Sequence, residues 1–173
     1  MEKISSIKLL QKFLLAFFAS IIINVVPTIV QAIVPFTFPP AISFLVGLLT
    51  FGTYILLWIS YAKSKELSTR KNYLLLAILI TVFTVLIIGG VFVAGSVISS
   101  NAIKAGLIAY TMTQEQMTAV LLSLPEYQLI TIVSLGITLV SNIIYLGLGY
   151  FIFTKNKIEL ATAEEEYQRN YME

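Results

Sequence analysis

The side chains able to act on a proton, a metal or a carbonyl are few in this sequence, and the missing ones decide the first question. There is no Cys, no His and no Asp. Without Cys there are no disulfides, thiol nucleophiles or thiolate metal sites. Without His there is no imidazole base and no usual transition-metal ligand. The missing Asp excludes the aspartyl type of intramembrane protease. Ser64 stands between Lys63 and Lys65, but sequence neighbours in a short polar run lack the fixed base geometry that activates a serine. No catalytic, cofactor-binding or metal residue is assigned, no cofactor is implied, and the chain reads as a non-enzyme.

What remains is polar, uncharged and set within apolar stretches. Ser20, Asn24 and Thr28 follow one another at four-residue spacing, and Ser43, Gly47, Thr50 and Tyr54 form a second stripe. Thr81 and Thr84 lie on a third. Thr131, Ser134, Thr138, Ser141, Asn142, Tyr145 and Gly149 make the richest one. Small residues at this spacing let helix backbones approach, and hydroxyls and amides can hydrogen-bond between helices. The stripes therefore serve packing or line a narrow polar path, and Asn24, Thr84, Asn142 and Tyr145 are the candidate intramembrane contacts. Asn24 lies twelve residues after Lys12, and Asn142 thirteen before Lys155. The two amides are expected at similar depth on neighbouring spans, paired or sharing a hydroxyl, for roughly 0.6–2 kcal/mol.

The elements that must carry these residues follow from composition. The chain has 173 residues, 58% hydrophobic and 12% charged, with a mean hydropathy of +0.91. Soluble domains carry about 25% charged residues, so too little polar surface is present to cover a water-soluble globule. Apolar runs at 13–34, 41–61, 72–99 and 127–153 each reach the roughly 20 residues that cross a bilayer core. The first exceeds a signal-peptide core and has no closing small-x-small site, so it reads as an uncleaved span. Before it, Ile4, Ile7, Leu10 and Leu14 recur at helical spacing. Pro27 is expected to bend the first span, and Pro35, Pro39 and Pro40 to turn the chain without charge.

Between the third and fourth spans, Thr113 and Gln116 have capping-box spacing. Met117, Val120, Leu121 and Leu124 follow on one apolar face, and Pro125 marks the end. An amphipathic helix on the membrane surface is expected there. Lys155, Asn156 and Lys157 are expected to stop the fourth span, leaving 158–173 as a short, charged tail, in which Thr162 and Glu165 have helix-start spacing and a solvated helix is expected.

The fold class is thus an all-α polytopic membrane protein: a four-helix up-down transmembrane bundle over 1–157, with an extracytoplasmic amphipathic helix between spans three and four. Ten of the eleven Lys and Arg fall in the N-terminus, the 62–71 run and the tail. Basic segments stay cytoplasmic, so both termini and that run face the cytoplasm of a cell-membrane protein. Trp58, Tyr61, Tyr73 and Tyr150 fall near the inner boundary, and Tyr110 and Tyr127 near the outer one. Lys63, Lys65, Arg70 and Lys71 are candidate contacts to anionic headgroups, each worth about 1 kcal/mol near the surface.

No Lys, Arg or Glu lies inside a span, which speaks against proton coupling within the chain. No basic patch with interleaved aromatics points to nucleic acid. The partners expected are the lipid bilayer and either a membrane protein or further copies of the chain. The leading function is an accessory, assembly or scaffold subunit that packs on a membrane partner. The alternative is an oligomeric channel or carrier for a small neutral solute.

Overall fold

The computed structural model describes residues 2–33, 40–109 and 111–172; at 28, 31–33, 40–43, 46, 171 and 172 the backbone alone is described. The turn at Pro35 and Pro39, and Tyr110, lie outside the described residues. Five helices and no strand are present among those described: α1 (Glu2–Ile33), α2 (Pro40–Lys63), α3 (Arg70–Lys104), α4 (Gln114–Ser123) and α5 (Pro125–Met172). Three of them, α1, α3 and α5, contain stretches long and apolar enough to cross a membrane.

The chain divides into two compact units, one of residues 1–81 and 142–173 and one of residues 82–141. The first holds nearly all the buried side chains, and they recur at three- and four-residue spacing on every segment. On α1 they are Ile7, Leu10, Leu14, Phe17 and Ile21; on α3, Tyr73, Leu76 and Ile80; on α5, Tyr145, Gly149, Ile152, Asn156 and Ala163. Leu57, Ser60, Ser64 and Leu67 continue the rhythm from α2 into the loop. This is the spacing that keeps one seam of a helix facing its neighbours. The apolar lead-in before the first span is therefore the start of α1 itself, and Ile7, Leu10 and Leu14 are fully buried.

α1 and α5 are neighbours, as the depth argument expects. The rings of Phe18 and Phe153 meet edge-on with centroids 6.4 Å apart. Gly149 lies so close that a Cβ there would come within 2.6 Å of the Phe18 ring unless that ring shifted.

In the second unit, α3 runs past the expected end at Ser99 to Lys104. It closes in a Schellman motif: Gly106 takes φ +73°, its N–H donates to Ile103, and the Leu107 N–H donates to Ala102. Only a residue without a Cβ adopts that conformation freely. The capping box forms as expected. The Gln116 N–H donates to Thr113 Oγ1 at 3.3 Å, and the Thr113 N–H donates to Gln116 Oε1 at 2.9 Å. Pro125 also opens α5 at a position where a missing N–H costs nothing.

The last helix runs without a break through Lys155 and Lys157 into the tail, where a helix is expected, and is 48 residues long in all. Lys155 and Lys157 are exposed, while Asn156 between them and Ala163 beyond are buried. The buried seam passes through the charged stretch to Ala163, and the other side chains described beyond it are exposed or half-buried.

Candidate functional site

Three fully buried polar side chains meet where the 62–71 run joins α3. Thr69 precedes α3, Tyr73 sits on its first turn, and Asn156 faces them from α5. Thr69 Oγ1 donates to Asn156 Oδ1 at 2.8 Å, and Asn156 Nδ2 donates to the Tyr73 hydroxyl at 2.7 Å. The amide thus uses both its ends on two groups four residues apart, one helical turn. Beside the node, Ser68 donates to Glu159 at 3.1 Å, and Glu159 also lies 3.6 Å from Lys3 of α1. A second ion pair, Lys8 to Glu164 at 2.8 Å, joins α1 to α5 further along. Both pairs are partly exposed and hold little energy by themselves; the buried node fixes the register.

The 62–71 run is half inside and half outside. Ser64, Leu67 and Thr69 are buried. Lys63, Lys65, Arg70 and Lys71 are exposed, and the Arg70 guanidinium sits 5.3 Å over the Tyr61 ring. Tyr61 also meets Trp58 edge-on. Tyr73, expected in the same aromatic belt, is instead fully buried, because its hydroxyl has a buried amide to bind.

A second polar seam joins α1 to α2. The Thr50 hydroxyl lies 2.8 Å from Nδ2 and 3.1 Å from Oδ1 of Asn24. Asn24 Nδ2 also reaches the Ser20 carbonyl at 2.8 Å, and the Ser20 hydroxyl lies 3.3 Å from Thr53 Oγ1. Asn24 therefore bonds to a hydroxyl of α2. Among the described residues no hydrogen bond joins it to Asn142, which is half-buried. Tyr145 is buried and Thr84 half-buried. Asn24, Asn142 and Tyr145 belong to the first unit and Thr84 to the second.

The hydroxyl stripe of α5 turns inward on its own backbone. Thr131, Ser134, Thr138 and Ser141 each donate to a carbonyl three or four residues earlier. In an apolar solvent such bonds satisfy the hydroxyl without a second helix.

Comparison with protein-family models, curated proteins and solved structures returns no match. Function has to be argued from these residues alone. The sequence pattern placed Tyr73 in the aromatic belt and Asn156 at the end of the fourth span, and neither these two nor Thr69 was expected as a buried contact. The legible signal was the spacing of Tyr145, Ile152, Asn156 and Ala163, a seam continuing past the lysines that mark a membrane boundary.

Proposed function

We propose that this chain is a non-enzymatic, four-span cell-membrane protein that acts as an accessory, assembly or scaffold subunit on a membrane partner. In this reading α2 also crosses, as the second of the four spans. Its 24 residues reach about 36 Å, and its only charged residue is Lys63 at the end. The N-terminus, the 62–71 run and the end of α5 face the cytoplasm, and α4 lies outside.

The observation that carries the reading is the apolar surface left open in both units, outside the buried seams. In the second, Ile88 is 65% exposed, Phe92 74% and Ile132 66%; in the first, Phe44 is 67% exposed, Phe51 64% and Ile143 69%. Soluble monomers rarely leave such surfaces in continuous patches; lipid and a partner helix are what covers them. The engagement of Asn24 with Thr50 supports packing over a solute path, since that amide is tied to helix contacts.

Extraction of the native protein in mild detergent, followed by mass measurement of the particle, tests the proposal. A defined assembly, with another membrane protein or with copies of this chain, is the expected result. A strictly monomeric particle without a partner argues against it.

A further inference from the structure

A groove of about 820 Å³ runs between the first turns of α1 and the last turns of α5. Ile4 and Leu9 give it an apolar side; Lys8, Lys12, Glu164 and Gln168 give it a polar one. Lys8 and Lys12 are four residues apart, so they share a helix face about 6 Å apart along the axis. Lys8 is held by Glu164 at 2.8 Å. Lys12 makes no ion pair among the described residues. Two cations against one carboxylate leave the groove with a surplus positive charge at Lys12. Glu165 and Glu166 fall on other faces of α5 and do not line it.

Depth supplies the second constraint. Lys12 immediately precedes Phe13, the first residue of the apolar run. It therefore marks the hydrocarbon edge, and Lys8 lies one turn outward. The polar layer on each side of a bilayer is roughly 5–7 Å deep, so this pair of ammonium groups spans it.

We propose that the groove binds the phosphate of an anionic glycerophospholipid from the cytoplasmic leaflet. Lys12 is the principal cation and Lys8 the second, with Glu164 competing for Lys8. The inference rests on the membrane topology proposed above. Ammonium groups bind phosphate as point charges, and the Gln168 amide is placed to meet a headgroup hydroxyl. A zwitterionic lipid leaves the surplus cation uncompensated. The site is distinct from Lys63, Lys65, Arg70 and Lys71, which do not line the groove.

The test is native mass spectrometry of the full-length protein in detergent, titrated separately with phosphatidylglycerol and phosphatidylcholine. Phosphatidylglycerol is expected to bind more tightly. Lys12→Gln should weaken the first binding event roughly fivefold, and Lys12→Arg should retain it. Lys155→Gln, which removes an α5 cation outside the groove, should leave it unchanged. Glu164→Gln should tighten it by releasing Lys8. Equal binding of the two lipids, equal losses in Lys12→Gln and Lys155→Gln, or weaker binding in Glu164→Gln each overturns the proposal. Carbonate extraction of native membranes reads membrane integration separately. A released chain sinks the membrane reading, whereas a retained chain without phosphatidylglycerol preference sinks the groove alone.

Discussion

Asn156 binds Tyr73 and Thr69 at once, so truncating it strands two buried hydroxyls. Each unsatisfied buried group costs about 1–3 kcal/mol. Asn156→Ala should therefore lower the thermal unfolding midpoint in detergent clearly more than Asn24→Ala does. Asn24 is half-buried, and interhelical polar contacts of its kind contribute about 0.6–1.7 kcal/mol. Equal midpoints for the two variants would show that the node is not a stability centre. The difference also explains what a sequence reader can find at this scale. Asn24 stands out because it is polar among apolar neighbours. Asn156 is hidden between two lysines, where a polar residue looks solvated. What distinguishes it is burial from the opposite helix, which no local pattern records. Tyr73 was hidden for the converse reason: at a membrane boundary a tyrosine normally sits in the aromatic belt, and only its amide partner draws it inside.

Helices differ in how much of their ends the sequence exposes. The capping box of α4 was legible to the residue, because Thr113 and Gln116 satisfy each other's backbone within four residues. The close of α3 at Gly106 was equally local, yet the apolar run stops earlier at Ser99, so hydropathy placed the end too soon. In α5 the lysines at 155 and 157 close the apolar run but not the helix, whose buried seam goes on to Asn156 and Ala163. That seam makes a sharp prediction at Gly149. Gly149→Ala brings a methyl within 2.6 Å of the Phe18 ring, and overpacking of this kind costs about 1–3 kcal/mol. The loss should appear as a lower unfolding midpoint and should shrink in the Gly149→Ala, Phe18→Ala double variant. Gly147 lies two residues away, and nothing stands within 4 Å of a Cβ built there. Gly147→Ala should be neutral or stabilising by up to about 1 kcal/mol. If both alanine variants behave alike, the α1–α5 crossing is not the tight contact described.

For the whole molecule, the long apolar helices were readable because an unbroken run of roughly 20 apolar residues is itself a sequence pattern, and the absent Cys, His and Asp were readable because composition needs no structure. The pairing of elements was readable only where two polar residues invited it, and there Asn24 turned out to bind α2. The number of crossings proposed from the apolar runs, and the direction proposed from the charge count, are open to direct measurement. The missing cysteine makes the experiment clean, since every introduced thiol is the only one in the chain. Glu2→Cys, Lys65→Cys, Glu115→Cys and Glu166→Cys each replace an exposed side chain. In intact cells a membrane-impermeant maleimide should label Glu115→Cys alone; after permeabilisation all four should react. Glu2 and Lys65 are separated by α1 and α2, so their labelling on the same side requires α2 to cross. If Glu2→Cys reacts from outside while Lys65→Cys does not, α2 stays on one face and the chain has three spans. If only Glu115→Cys is protected, the positive segments lie outside and the proposed orientation is inverted.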